Sequence, residues 1–262
     1  MCDSPAKNGY KGWRGWNPLP ALRTGKPLGD WIDLTYPLSP NVPRVGMFSA
    51  PKFTRVTEMP AKPLNITHME MVVHMGTHLD SPRHYFLDGP AMEAVPLDRF
   101  MGPGVVLRIE KPAYGVIEPA DLERAEPGIE PGDIVAIYTG WGEKWGTPDW
   151  DHQPCLSVEA ARWLREKRVK LLAVDTPTPD LPLDRRPPDF MWPVHRALLA
   201  HGILIAEQLT NLQTLAGQRV EFLFGPLPIV GSDGSPARVL ARPVFPAVRG
   251  RHPSHSWHRI SG

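Results

Sequence analysis

Proline occupies 32 of the 262 positions, roughly one in eight where about one in twenty is usual. Each proline fixes φ and withdraws a backbone donor, so it interrupts helix interiors and is poorly tolerated in central strands. A chain punctuated this often must be built from short elements joined by stiffened turns. Beside the prolines, the 23 glycines would suit a disordered chain as well. Nine tryptophans, regular apolar runs and a mixture of 42% hydrophobic with 22% charged residues argue instead for a folded, loop-rich domain. At this length the chain can bury a real core.

Charge excludes one broad class of partner. With 29 Lys+Arg against 28 Asp+Glu the chain has no basic excess to displace counterions from a phosphate backbone, so no nucleic acid is expected. No apolar stretch is long enough to span a membrane, and the first twenty residues lack the apolar core of a secretory signal. Two cysteines, Cys2 and Cys155, are too few for a disulfide framework and read as free thiols in a reducing compartment. A cytoplasmic protein is expected.

No internal repeat or interdomain linker is visible. The reading is one domain over 30–247, between an arm at 1–29 with Trp13 and Trp16 as anchors and a Pro/Ser/Gly/His tail at 248–262. Strands are predicted at 31–38, 52–57, 66–73, 105–109, 134–138, 171–174, 203–206, 220–223 and 238–240. One helix is predicted after Ser157, through Arg168; a second starts at Pro193 and runs to about His201, stopped by Gly202. Strands outnumber helices without alternating strictly, which points to an α/β or α+β domain with a mixed sheet core. Neither a GxGxxG nor a Walker loop is present.

The chemistry is concentrated in His74-Met-Gly-Thr-His78-Leu-Asp80-Ser-Pro-Arg-His84. Gly76 and Pro82 argue against a helix here. In an extended chain the even-numbered residues share one face, so His74, His78, Asp80 and His84 are expected together, with Gly76 leaving room for an ion or substrate. Pro82 should swing His84 toward the pocket mouth. Two imidazoles and a carboxylate suit Zn²⁺ or Mn²⁺ with one position open to water. The bland alternative is a solvated polar strand face; three histidines with an Asp and a Gly on one face favour the metal.

A second cluster lies downstream. His195 shares the inward helix face with Leu198 and Leu199, and the apolar run 203–206 ends in Glu207, an acid that is costly at such a place unless paired or metal-bound. Taken alone, each reads more readily as an ordinary residue, a hydrogen-bonded core His and a Glu facing water at a strand end; the metal site expected at 74–84 favours both as ligands. No Gly-x-Ser-x-Gly elbow occurs and Cys155 has no supporting motif, so a serine or cysteine nucleophile has little support.

The His74–His84 segment matches, without substitution, the HxGTHxDxPxH motif of the cyclase-like family of metal-dependent hydrolases, which includes bacterial kynurenine formamidases and isatin hydrolases. Asp33-Leu-Thr-Tyr-Pro-Leu, Thr139-Gly-Trp141, Asp175-Thr-Pro177, His195 and Glu207 agree with it as well, so the resemblance spans about 30–245. It implies a swivelling β/β/α-type fold and hydrolysis of a small-molecule amide at one or two divalent ions, Zn²⁺ or Mn²⁺. By the resemblance, His74, His78 and Asp80 hold the first ion, and Asp80, His195 and Glu207 the second. His84 transfers the proton. The resemblance also implies a homodimer or a higher homo-oligomer.

The mononuclear, manganese-dependent isatin hydrolases resemble this chain less at Glu207, so the formamidase branch is expected. An isatin-hydrolase-like ring opener, or another cyclic-amide or ester hydrolase of the family, is the first alternative. A catalytically silent metal- or ligand-binding protein of the same fold is the second. The proline-rich segment 181–192 departs from the family pattern and is expected to reshape the pocket. Trp141, Trp145 and Trp150 are expected to cover core or interface rather than form an aromatic wall for the substrate. The evenly spaced tail histidines, His252, His255 and His258, lack a fold around them.

Overall fold

The structure is a computed structural model and describes residues 29–244. The arm assigned to 1–29, apart from Gly29, and the tail assigned to 248–262 lie outside the described residues. In chain order the strands are β1 (Ile32–Asp33), β2 (Lys52–Thr57), β3 (Ile66–Glu70), β4 (His78–Asp80), β5 (Met101–Arg108), β6 (Val116–Ile117), β7 (Ile134–Tyr138), β8 (Cys155–Leu156), β9 (Leu171–Val174), β10 (Leu204–Glu207), β11 (Gln218–Pro226) and β12 (Gly234–Pro243). The helices are α1 (Pro119–Arg124), α2 (Val158–Glu166) and α3 (Pro193–Leu199), all short, as the prolines require.

The main sheet runs β1-β12-β11-β5-β7-β9-β10-β4, and β12 also pairs with β4, so seven strands close on themselves with β1 attached outside. In this sheet strands β5, β7, β9 and β10 are parallel and the other pairings are antiparallel. The mixed sheet-dominated domain expected from the sequence is what forms. Ile134–Tyr138 and Leu171–Val174 are buried throughout, as parallel strands covered on both faces must be.

One side chain in two fills the closed sheet: Ala136, Ala173, Ala206, Leu79 and Val239 line it beside the bulky Phe222 and Phe224. The alternate set, Val135, Ile137, Leu172, Val174 and Ile205, packs outward beneath Leu164 of α2 and Leu198 of α3. Ser157 caps α2 by accepting from the Ala160 N–H at 3.1 Å. Among the described residues no helix is long and apolar enough to cross a membrane.

Several predicted bounds shift for local reasons. The strand predicted over 31–38 stops at Asp33, whose carboxylate turns back to accept from the Thr35 N–H at 3.1 Å before Pro37 arrives. β12 extends well beyond 238–240, carrying Pro236 inside the strand and ending on Pro243. Trp141 and Trp150 are buried, and the Trp145 ring stacks on Tyr36 at 3.7 Å, so this loop covers the core. Its threonine meets the Asp175 segment: the Asp175 carboxylate accepts from the Thr139 N–H and hydroxyl and from the Gly140 N–H.

Candidate metal centre

The motif 74–84 does not run as one extended strand. Gly76 has φ 63°, only His78–Asp80 pairs as a strand, and Pro82–His84 forms a 3-10 turn. Gly76 also makes no room for an ion: a Cβ there would fall 2.7 Å from Leu38 Cδ2, so the glycine serves the positive φ and the close packing of Leu38. The expected face survives only for His78 and Asp80. His74 is delivered by the preceding loop and His84 by the turn. Thr77 ties that loop down, its hydroxyl donating to the Gln208 carbonyl at 2.7 Å and accepting from the Tyr36 N–H at 3.0 Å.

Register brings the second cluster to the first. In the antiparallel pair β4–β10, His78 faces Glu207 and Asp80 faces Ile205, so all four lie on the helix side of the sheet. There α3 presents His195, buried with Leu198 and Leu199 on the inward face that its spacing predicts. Asp80 lies between the two clusters. Its Oδ1 is 2.7 Å from His74 Nδ1 and 3.5 Å from His78 Nε2, and its Oδ2 is 3.3 Å from His195 Nε2. Glu207 lies 3.4 Å from His78 Nε2 and 3.1 Å from His195 Nε2.

Two three-donor sets result, His74–His78–Asp80 and Asp80–His195–Glu207, each with its atoms within 4.8 Å of one another. A third set, His74–His84–Asp233, adjoins them. The far nitrogens of these rings are held from behind. His78 Nδ1–H donates to the Gly76 carbonyl at 2.8 Å, which leaves Nε2 as the free lone pair. His195 Nδ1 is 2.6 Å from Asp180 Oδ2, and that carboxylate also accepts the Val194 and His195 backbone N–H groups at 3.0 Å. His74 Nε2 is 2.9 Å from Asp233 Oδ2. Sequence reasoning missed Asp180 and Asp233, because neither lies near a predicted ligand in the chain.

The remaining neighbours are aromatic. The Tyr85 ring stands edge-on to His84 at 4.5 Å and lies 5.2 Å from His195. Trp192, at the end of the segment 181–192, lies 6.2 Å from Tyr85, and the Arg186 guanidinium sits over its ring. That segment therefore contributes to the surroundings of the site. Cys155 is buried on β8, and burial lifts its thiol to about 11, which removes it as a nucleophile.

Electrostatics at the centre follow from carboxylates packed against imidazoles. Burial works against a charged His74, but the Asp80 charge and hydrogen bonds to Asp233 and Asp80 outweigh it and lift the ring to about 10. His195 is likewise raised well above its usual value: burial opposes the charge, and Asp180, Asp80 and Glu207 overcome burial. Asp80 is held well below the carboxylate range, its burial outweighed by the His74 charge and the imidazole hydrogen bonds. His84 moves the other way, pushed down chiefly by burial and by the neighbouring His74 and His195 charges.

The donors fit a divalent cation. Glu207 Oε1 is buried without a hydrogen-bond partner although His195 Nε2 is 3.1 Å away, so the pair is not aligned for a hydrogen bond. An unsatisfied buried carboxylate oxygen is costly, and a cation held between such atoms removes the cost. Nitrogen and carboxylate donors of this kind are borderline ligands suited to Zn²⁺ or Mn²⁺.

A family model described as "Putative cyclase" matches residues 32–181. A kynurenine formamidase of Bordetella petrii is 31% identical over 183 residues, covering 70% of this chain and 83% of that protein. Isatin hydrolase A from Ralstonia solanacearum superposes with TM-score 0.74 at 26% identity, covering 82% of this chain and 92% of that one. A protein described as a predicted metal-dependent hydrolase from Bacillus stearothermophilus superposes with TM-score 0.67 at 26% identity, over 81% of this chain and 98% of the other. Fold and site together define a metal-dependent hydrolase. Within that class the chain belongs to the cyclase family.

Proposed function

We propose that the chain is a metal-dependent amidohydrolase that cleaves the C–N bond of a small formamide or cyclic amide, as a kynurenine formamidase does. The observation that carries this reading is the sharing of Asp80 between two buried donor sets, with His84 beside them at 4.0 Å from the His74 ring. His74, His78 and Asp80 would hold one ion; Asp80, His195 and Glu207 would hold a second. Zinc or manganese would fill them. A bound divalent cation supplies Lewis acidity toward a carbonyl oxygen and lowers the pKa of a water toward about 7.

The protein's own groups do the rest. His84, whose hold on a proton is weakened chiefly by burial, takes the proton of the attacking water and returns it to the leaving nitrogen. Asp180 fixes the His195 ring and Gly76 the His78 ring, so the donors need not reorganise. Tyr85 lies against the His84 and His195 rings, with Trp192 next to it, as an aromatic wall. A ring-opening reaction on a cyclic amide is the second reading, favoured by the structural likeness to isatin hydrolase A. The test is metal analysis of the purified protein with a turnover screen on formamides, isatins and cyclic imides. The proposal expects bound zinc or manganese and turnover on a formamide; absence of both overturns it.

Ion number rests on Glu207. Anomalous scattering or metal counting is expected to give two ions per chain at saturating zinc or manganese, and Glu207→Ala should lower that to one. Unchanged stoichiometry and activity would reduce Glu207 to a structural role.

We also propose a homodimer, in the cytoplasm. The pair β2–β3 forms a separate two-stranded sheet, with Val56 60%, Met69 46% and Ile66 42% exposed. An isolated hairpin is marginal in water, and a second copy packed on this surface would cover it. Light scattering should return twice the chain mass, and Val56→Lys with Met69→Lys should shift it toward the monomer.

A further inference from the structure

We propose that Asp233 is a positioning residue that serves both sides of the reaction, fixing the metal-side His74 and the proton carrier His84 with one carboxylate oxygen. The inference rests on the reading of those two histidines given above. Asp233 Oδ2 is 2.9 Å from His74 Nε2 and 3.3 Å from His84 Nδ1, and the two rings lie 4.0 Å apart at a tilt of 30°. Among the described residues it is the carboxylate in contact with both rings.

The chain is built to put it there. Gly234, the next residue, pairs across from Asp80 in the β12–β4 ladder, and the Asp233 carbonyl accepts from the Ser81 N–H at 2.9 Å and the Ser81 hydroxyl at 3.1 Å. The backbone of 233 is thus anchored to the strand that carries the ligands. Gly234 also gives His74 its place: a Cβ there would fall 2.6 Å from His74 Cε1 and 2.8 Å from the Leu79 carbonyl. Acid and glycine act as one device, the glycine clearing the ring's seat and the acid holding its outer nitrogen.

The chemistry follows from the tautomers. An acceptor at His74 Nε2 makes that nitrogen the N–H and leaves Nδ1, the atom facing Asp80, as the lone pair a cation needs. The same acceptor at His84 Nδ1 leaves Nε2 as the basic nitrogen for proton transfer. A side chain 45% exposed can do this without the burial cost of the inner carboxylates.

Asp233→Ala and the isosteric Asp233→Asn, each compared with the wild type, test the proposal. Zinc affinity is measured by competition with a chromophoric chelator, ring tautomers by long-range ¹⁵N–¹H correlation on the zinc-loaded protein, and kcat and KM separately on a formamide. Outer partners of this kind are typically worth about 10–100-fold in metal affinity or activity. Asp233→Ala should therefore weaken zinc by roughly that factor, mix the His84 tautomers, and lower kcat with KM nearly constant. Asp233→Asn, which keeps an acceptor oxygen but not the charge, should fall between. It decides the matter if the alanine variant does not fold.

Zinc affinity within about two-fold of wild type, together with an unchanged His84 tautomer, overturns the inference. If the wild type hydrolyses no amide, the functional reading fails, yet the zinc and tautomer measurements still decide the role of Asp233.

Discussion

Asp80→Ala is expected to lose its metal and its turnover together. Asp80 contributes to both proposed ligand sets, Oδ1 toward His74 and His78 and Oδ2 toward His195, from a position only 1% exposed. Among the described residues the other acids at the site are already committed: Asp180 is engaged by α3 and the His195 ring, Asp233 lies on the far nitrogen of His74, and Glu207 belongs to the second proposed set. Loss of affinity should therefore exceed the roughly 10–100-fold typical of outer partners. Metal per chain by mass spectrometry and turnover by absorbance check it. A variant with full metal content would sink the ligand assignment.

The second large effect separates catalysis from binding. His84→Ala should keep its metal and lose about 10²–10⁴-fold in kcat, the usual contribution of a positioned proton carrier. The structure also offers His84 as a donor in a set with His74 and Asp233, so the measurement has real alternatives. Loss of metal would make His84 a ligand. Full activity would route the proton elsewhere, and would favour water or another residue over this imidazole. A silent binding protein of the same fold would retain metal in both wild type and variant and hydrolyse nothing.

Much of this was legible in the chain, for stateable reasons. Ligand chemistry is a matter of residue type: His74, His78 and Asp80 stood out by clustering, His195 by its inward helix spacing, and Glu207 as an acid that is costly at the end of an apolar run. The strands 52–57, 134–138 and 171–174 have β-branched or apolar runs with clear limits and formed at those limits. The path of the motif was not legible, because period-2 reasoning assumes uniform backbone, and Gly76 at φ 63° breaks it after one turn of chain. β4 was read only as part of a longer extended run for a similar reason: three residues carry too little pattern to set their own limits, and pairing on both sides is what makes them a strand. Asp180 and Asp233 act through distance in space alone. Closure of the sheet by β12 onto β4 was equally invisible, since strand order is not written in local sequence.

That closure has a temporal consequence. The strand bearing His78 and Asp80 is completed on one side by Gly234–Pro236, and the Ser81–Asp233 contact spans 152 residues of chain. A nascent polypeptide leaving the ribosome can assemble the parallel strands and their helices from residues already made, yet it holds the histidine motif with an unpaired flank until β12 emerges. Completion of the proposed sites is thereby deferred to the end of synthesis: chains cut short before residue 234 would carry all five proposed ligands without the β12 flank that pairs with His78 and Asp80.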